Sequence, residues 1–97
     1  MQLKQAFAKA LKQARKARGL TQEDFSDVSS RTYMSTLERG IKCPTIEKID
    51  LLASAMKLHP VTIISLAYLV QSQDMSIDAL IRQVGEELKT IQQPSKD

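Results

Sequence analysis

Residues 21–40, TQEDFSDVSSRTYMSTLERG, constrain the fold more than any other stretch of the chain. They read as two short helices joined by a tight turn, the second closing on Glu38-Arg39-Gly40. Helices this short bury no core of their own, so both must lean on longer neighbours. Such a pair keeps one outer face free, the arrangement that delivers a helix into the major groove of duplex DNA.

The neighbours are legible from spacing. Phe7, Leu11 and Ala14 fall at i, i+4 and i+7, with Leu3 and Ala10 alongside, as one apolar stripe on a first helix. Gly19 ends it as a left-handed C′ residue, and Leu20 packs back on the last turn. Thr21 caps a second helix, with Asp24 as the acidic half of a capping box and Phe25 and Val28 inward. Ser30, preferred to Ser29 because it leaves whole turns before Gly40, caps a third helix with Met34 and Leu37 inward. Gly40 closes it, followed by Ile41. Pro44-Thr45 opens a fourth helix, with Ile46, Ile49, Leu52, Ala53 and Met56 inward. Pro60 fits the first position of a fifth, reaching about Gln71 and apolar almost all round, which suits burial or a shared subunit face. After Asp74 a sixth segment places Ile77, Leu80, Ile81, Val84, Leu88 and Ile91 at helical spacing. The polar tail, residues 92–97 with Pro94, is expected to be disordered.

Ninety-seven residues suit one domain, and four aromatics and three glycines among many Leu, Ile, Ala, Lys and Gln point to an all-α fold. The net charge of +3 hides an asymmetry. Residues 1–60 hold eleven Lys/Arg against six Asp/Glu, and residues 61–97 hold three against five. A basic half of this kind is the footprint that phosphate requires, although a charge run is often only a solvated helix face. The single cysteine, Cys43, excludes an intramolecular disulfide and a cysteine-rich zinc site. Residues 61–70, the most apolar run, are about half a bilayer span, and no signal-type segment opens the chain, so a soluble intracellular protein is expected, with no membrane partner. One His, one Cys and scattered acids assemble no catalytic set, so no enzyme activity, metal, cofactor or small-molecule ligand is expected.

Two charges fall on buried stripes. Arg15 lies at i+4 from Leu11 on the first helix, and Glu38 at i+4 from Met34 on the third. An inward charge is expensive unless paired, so the spacing predicts that Arg15 and Glu38 meet.

Arg15, the run 19–25 (GLTQEDF), the run 34–40 (MSTLERG) and Pro44-Thr45 resemble the Cro/phage-repressor helix-turn-helix family, also called XRE-like, over roughly residues 3–60. Residues 30–33 (SRTY) are similar to the recognition-helix start of restriction–modification controller proteins. The resemblance implies a lambda-repressor-like five-helix DNA-binding domain, usually dimeric, that regulates transcription in the bacterial or phage cytoplasm. It also implies a buried Arg–Glu pair at Arg15 and Glu38. Between Gln22 and Glu38 this chain is two residues shorter than the family pattern and lacks the usual turn glycine, so the second helix or the turn must give up those residues.

With Met34, Leu37 and Glu38 inward, the third helix turns Arg31, Thr32, Ser35, Thr36 and Arg39 outward. Arg31, Thr32 and Thr36 are expected to contact base edges: arginine can grip guanine O6 and N7, and threonine offers a hydroxyl or a methyl. Tyr33 has two readings, completing the core edge or reaching a base or phosphate. The resemblance gives Gln22 a phosphate contact beside the second helix's N-terminus. Ser30, Ser35, Arg39 and Lys42 are further phosphate candidates. Residues 1–71 then form the DNA-binding domain. Residues 72–91 form an extension in which Ile77, Leu80, Ile81, Val84 and Leu88 build a homodimer that holds two domains on a palindromic operator. Two other functions stay open: an antitoxin that binds DNA and a toxin, and a helical interaction module without DNA binding.

Overall fold

The computed structural model describes residues 1–94; the last three positions of the expected disordered tail, residues 95–97, lie outside the described residues. Five α-helices run in order: α1 (Leu3–Ala17), α2 (Arg31–Glu38), α3 (Ile46–Ala55), α4 (Pro60–Gln71) and α5 (Ile77–Gln92). A single 3-10 turn, Gln22–Phe25, stands between α1 and α2, and no strand occurs among the described residues.

Local chemistry explains most of the boundaries. Ser30, Thr45 and Ser76 each accept the N3 backbone N–H of the helix they open, from Tyr33, Lys48 and Ala79. His59 caps α4 through Nδ1, accepting from the N–H of Val61, the N2 residue just beyond Pro60. Helices α1, α2 and α3 end alike. Gly19, Gly40 and Lys57 take positive φ, and the next residue's N–H returns to the carbonyl five residues back, at Arg15, Thr36 and Ala53. Lys57, at φ 58°, does this without being glycine, a conformation that costs a side-chain-bearing residue about 1–2 kcal/mol.

The second helix of the sequence reading needs correction. Thr21 does stand at its N-cap, and Asp24 supplies the acidic half of the capping box: its carboxylate accepts from the Thr21 backbone N–H at 2.7 Å and from the Thr21 hydroxyl at 3.1 Å. But the segment tightens into one 3-10 turn and never becomes an α-helix. The cause lies in the length of the connection. The chain must leave Gly19, bury Phe25 and reach the Ser30 cap over a short connection, and a 3-10 turn rises further per residue than an α-helix.

The core is one cluster. Phe7, Leu11, Phe25, Met34, Leu37, Leu52, Met56 and Ile63 form its bulk, and α1 packs most extensively on α4. Ile46, expected inward, is 79% exposed. It sits at the first turn of α3, beyond the edge of the core, and burial deepens from half-buried Ile49 to fully buried Leu52 and Ala53. Leu3, at the start of α1, is likewise exposed.

Helix α5 stands apart. None of its residues is buried; Ile77 is 66% and Leu88 53% exposed. It faces α4 across an open apolar cleft of about 510 Å³, which Val61, Leu66, Leu69, Ile77, Leu80 and Ile81 help to line. The radius of gyration is 15.1 Å, whereas about 13 Å is typical of a compact 100-residue domain, so the projecting helix elongates the molecule.

Candidate nucleic-acid interface

Helix α2 has two faces with different duties. Its inner face sends Met34 and Leu37 into the core with essentially no exposed surface. At its last turn Glu38 meets Arg15 of α1. Arg15 Nε donates to Glu38 Oε2 at 2.7 Å and Nη2 to Oε1 at 2.9 Å, a two-pronged pair whose side chains are 10% and 4% exposed. Arg15 Nη1 donates in addition to the Leu20 carbonyl at 2.8 Å. Gln22 Nε2 donates to Glu38 Oε1 at 3.2 Å. The end of α1, the 3-10 turn and the end of α2 are therefore joined at one carboxylate. The hydrogen bond with Glu38 raises the Arg15 pKa above the ordinary arginine value, against the opposing effect of burial, and the Glu38 charge adds to the rise.

The outer face is polar. Arg31 and Thr32 are exposed at its start, Ser35 and Thr36 half-buried at its middle, and Arg39 exposed at its end. Thr36 donates its hydroxyl to the Thr32 carbonyl at 2.9 Å, and Arg39 Nε donates to the Ser35 carbonyl at 3.3 Å. Ser30 is exposed and caps α2, and Lys42 is exposed in the turn that follows it. Gln22 lies beside this face but gives its amide to Glu38. A single 3-10 turn carries little dipole, so the N-terminal helix charge expected at Gln22 is small.

Tyr33 takes the core-edge place of its two readings. It packs against the core cluster, half-buried, with Lys48 Nζ 5.2 Å from its ring centroid. The same ammonium donates to the Val28 carbonyl at 2.7 Å, tying α3 to the turn before α2. Sequence reasoning missed Lys48, and it missed Glu23, whose carboxylate accepts from Arg31 Nη1 at 2.9 Å. Both contacts cross a turn whose path depends on tertiary packing, and helical spacing does not signal them.

A core-locked short helix with a polar outer face, held by a buried Arg–Glu pair to the helix before it, is the frame of a helix-turn-helix. A family comparison agrees, matching the helix-turn-helix model over residues 11–63. The chain belongs to the Cro/phage-repressor-type helix-turn-helix family. The matched span runs from the middle of α1 into α4 and takes in all of the candidate interface. No curated protein and no solved structure matches the chain. This is a family of DNA-binding regulators. Among the described residues no single helix is long and apolar enough to cross a membrane.

Proposed function

We propose that this helix-turn-helix protein is a sequence-specific transcriptional regulator, a repressor or autoregulator, that binds a palindromic operator as a homodimer. The observation that carries the reading is the division of α2, whose inner face is immobilised by Met34, Leu37 and Glu38 while Arg31, Thr32 and Thr36 stand on the outer one. A rigid helix presenting a few side chains at fixed positions is what base recognition requires.

Arg31, Thr32 and Thr36 read base edges, Arg31 with the bidentate geometry suited to guanine. Tyr33, braced by Lys48, contributes its edge. Gln22, Ser30, Ser35, Arg39 and Lys42 meet phosphates and set register. Residues 1–71 are the DNA-binding unit, and the extension supplies the second copy: α4 and α5 leave Val61, Ile77, Ile81 and Leu88 at least half exposed, and the first three of these line one open apolar cleft. A two-fold dimer closed on Ile77, Leu80, Ile81, Val84 and Leu88 covers that surface and brings two α2 helices to one side. The place of action is the cytoplasm, on the nucleoid.

The test separates base from phosphate roles. Arg31→Ala should cost roughly 1–3 kcal/mol of discrimination at one operator position and leave the others alone. Lys42→Ala should weaken binding to every duplex alike and lower the salt slope by about one unit. Uniform losses for both variants across a panel of single-base-pair operator changes would remove the assignment.

A further inference from the structure

Across the turn, Arg31 Nη1 donates to Glu23 Oε1 at 2.9 Å, and both side chains are 71% exposed. An ion pair this exposed contributes little to stability. Its place is more informative than its strength. Glu23 stands between Gln22, on the candidate phosphate face, and Asp24, which is occupied in capping Thr21. A carboxylate there meets phosphates with like charge unless a cation neutralises it. Arg31 supplies that cation through one nitrogen and, among the described residues, leaves Nε and Nη2 without a partner. The free edge is one of the two-donor forks with which arginine grips guanine O6 and N7. The single 3-10 turn places Glu23 within reach of Arg31, the first residue of α2. Glu23, Arg31, Gln22, Thr21 and Arg15 line one cleft of about 350 Å³ there.

We propose that Glu23 is a specificity-determining positioning residue that acts through Arg31. It holds one corner of the guanidinium so that the other edge faces the groove, and it withholds the same charge from the phosphates of unrelated DNA. This deepens the reading of Arg31 as a base contact and rests on it.

The test uses the full chain and three probes: a duplex that the wild-type protein selects from a random-sequence pool, its single-base-pair variants, and an unrelated duplex of equal length. Glu23→Ala should reduce discrimination roughly three- to tenfold, a part of what a bidentate arginine–guanine contact supplies, at the one base pair where Arg31→Ala also reduces it. Discrimination at other positions should hold. Binding to the unrelated duplex should tighten, with a salt slope steeper by about one unit, as the released guanidinium turns to phosphate. In the Arg31→Ala background, Glu23→Ala should change discrimination no further, and the urea midpoint should be unaffected throughout. An equal effect at every base pair, or the same loss with Arg31 already removed, would overturn the role of Glu23 while leaving Arg31 a base reader. If Arg31→Ala itself spares discrimination at every position, the base-contact reading fails and the role of Glu23 goes with it.

Discussion

An arginine on the buried stripe of α1 carries a desolvation cost of several kcal/mol, and three acceptor oxygens offset it: both of the Glu38 carboxylate and the Leu20 carbonyl. A raised pKa means that this contribution is complete below the ordinary arginine value and is lost only above the raised one, so Arg15 introduces no pH dependence near neutrality. Removing one partner is another matter. Arg15→Met should destabilise the fold by roughly 3–5 kcal/mol, because it strands the Glu38 carboxylate in the core. The double change Arg15→Met with Glu38→Leu should recover much of that loss, since apolar groups often replace a buried pair at little cost. Urea unfolding of the two single variants and the double closes the cycle, and additive losses would mean that the two side chains do not couple.

At the scale of elements, local signals and tertiary demands separate cleanly. The caps at Ser30 and Thr45, Pro60 at the first position of α4, and the glycine ends at Gly19 and Gly40 were legible in the sequence because each is decided within five or six residues. The Arg15–Glu38 contact followed from two helical periods that both place a charge inward. The 3-10 turn was not legible as such, since it answers to the distance between Gly19 and Ser30 once Phe25 is buried. Nor was the exposure of Ile46, which lies on the inward side of α3 but one turn too early to reach the core. The contacts of Glu23 and Lys48 were hidden for the same reason, as partners eight or more residues away across a turn. The turn itself depends on Asp24, which takes both donors of Thr21. Asp24→Ala should therefore lower stability by about 0.5–2 kcal/mol, the range of a lost helix cap. It should also weaken DNA binding beyond that, because the turn positions Gln22 and Glu23. Thermal unfolding and operator affinity measured on the same variant check both parts.

For the whole molecule, the open question of the fold is what covers α5. A helix with apolar residues at every turn and none of them buried is a surface awaiting a partner. The proposed dimer would set a second copy there and present two α2 helices to half-sites one helical turn apart, roughly 34 Å. Leu80→Glu with Val84→Glu should give a chain that sediments as a monomer, retains its helical circular dichroism and binds a full operator far more weakly. The most direct measurement of the central claim is selection by the wild-type chain from a random duplex pool. An inverted repeat whose half-site centres are about 10 base pairs apart should be enriched at moderate salt. Recovery of unrelated sequences in proportion to charge alone, or of one asymmetric site by a monomer, would contradict the claim.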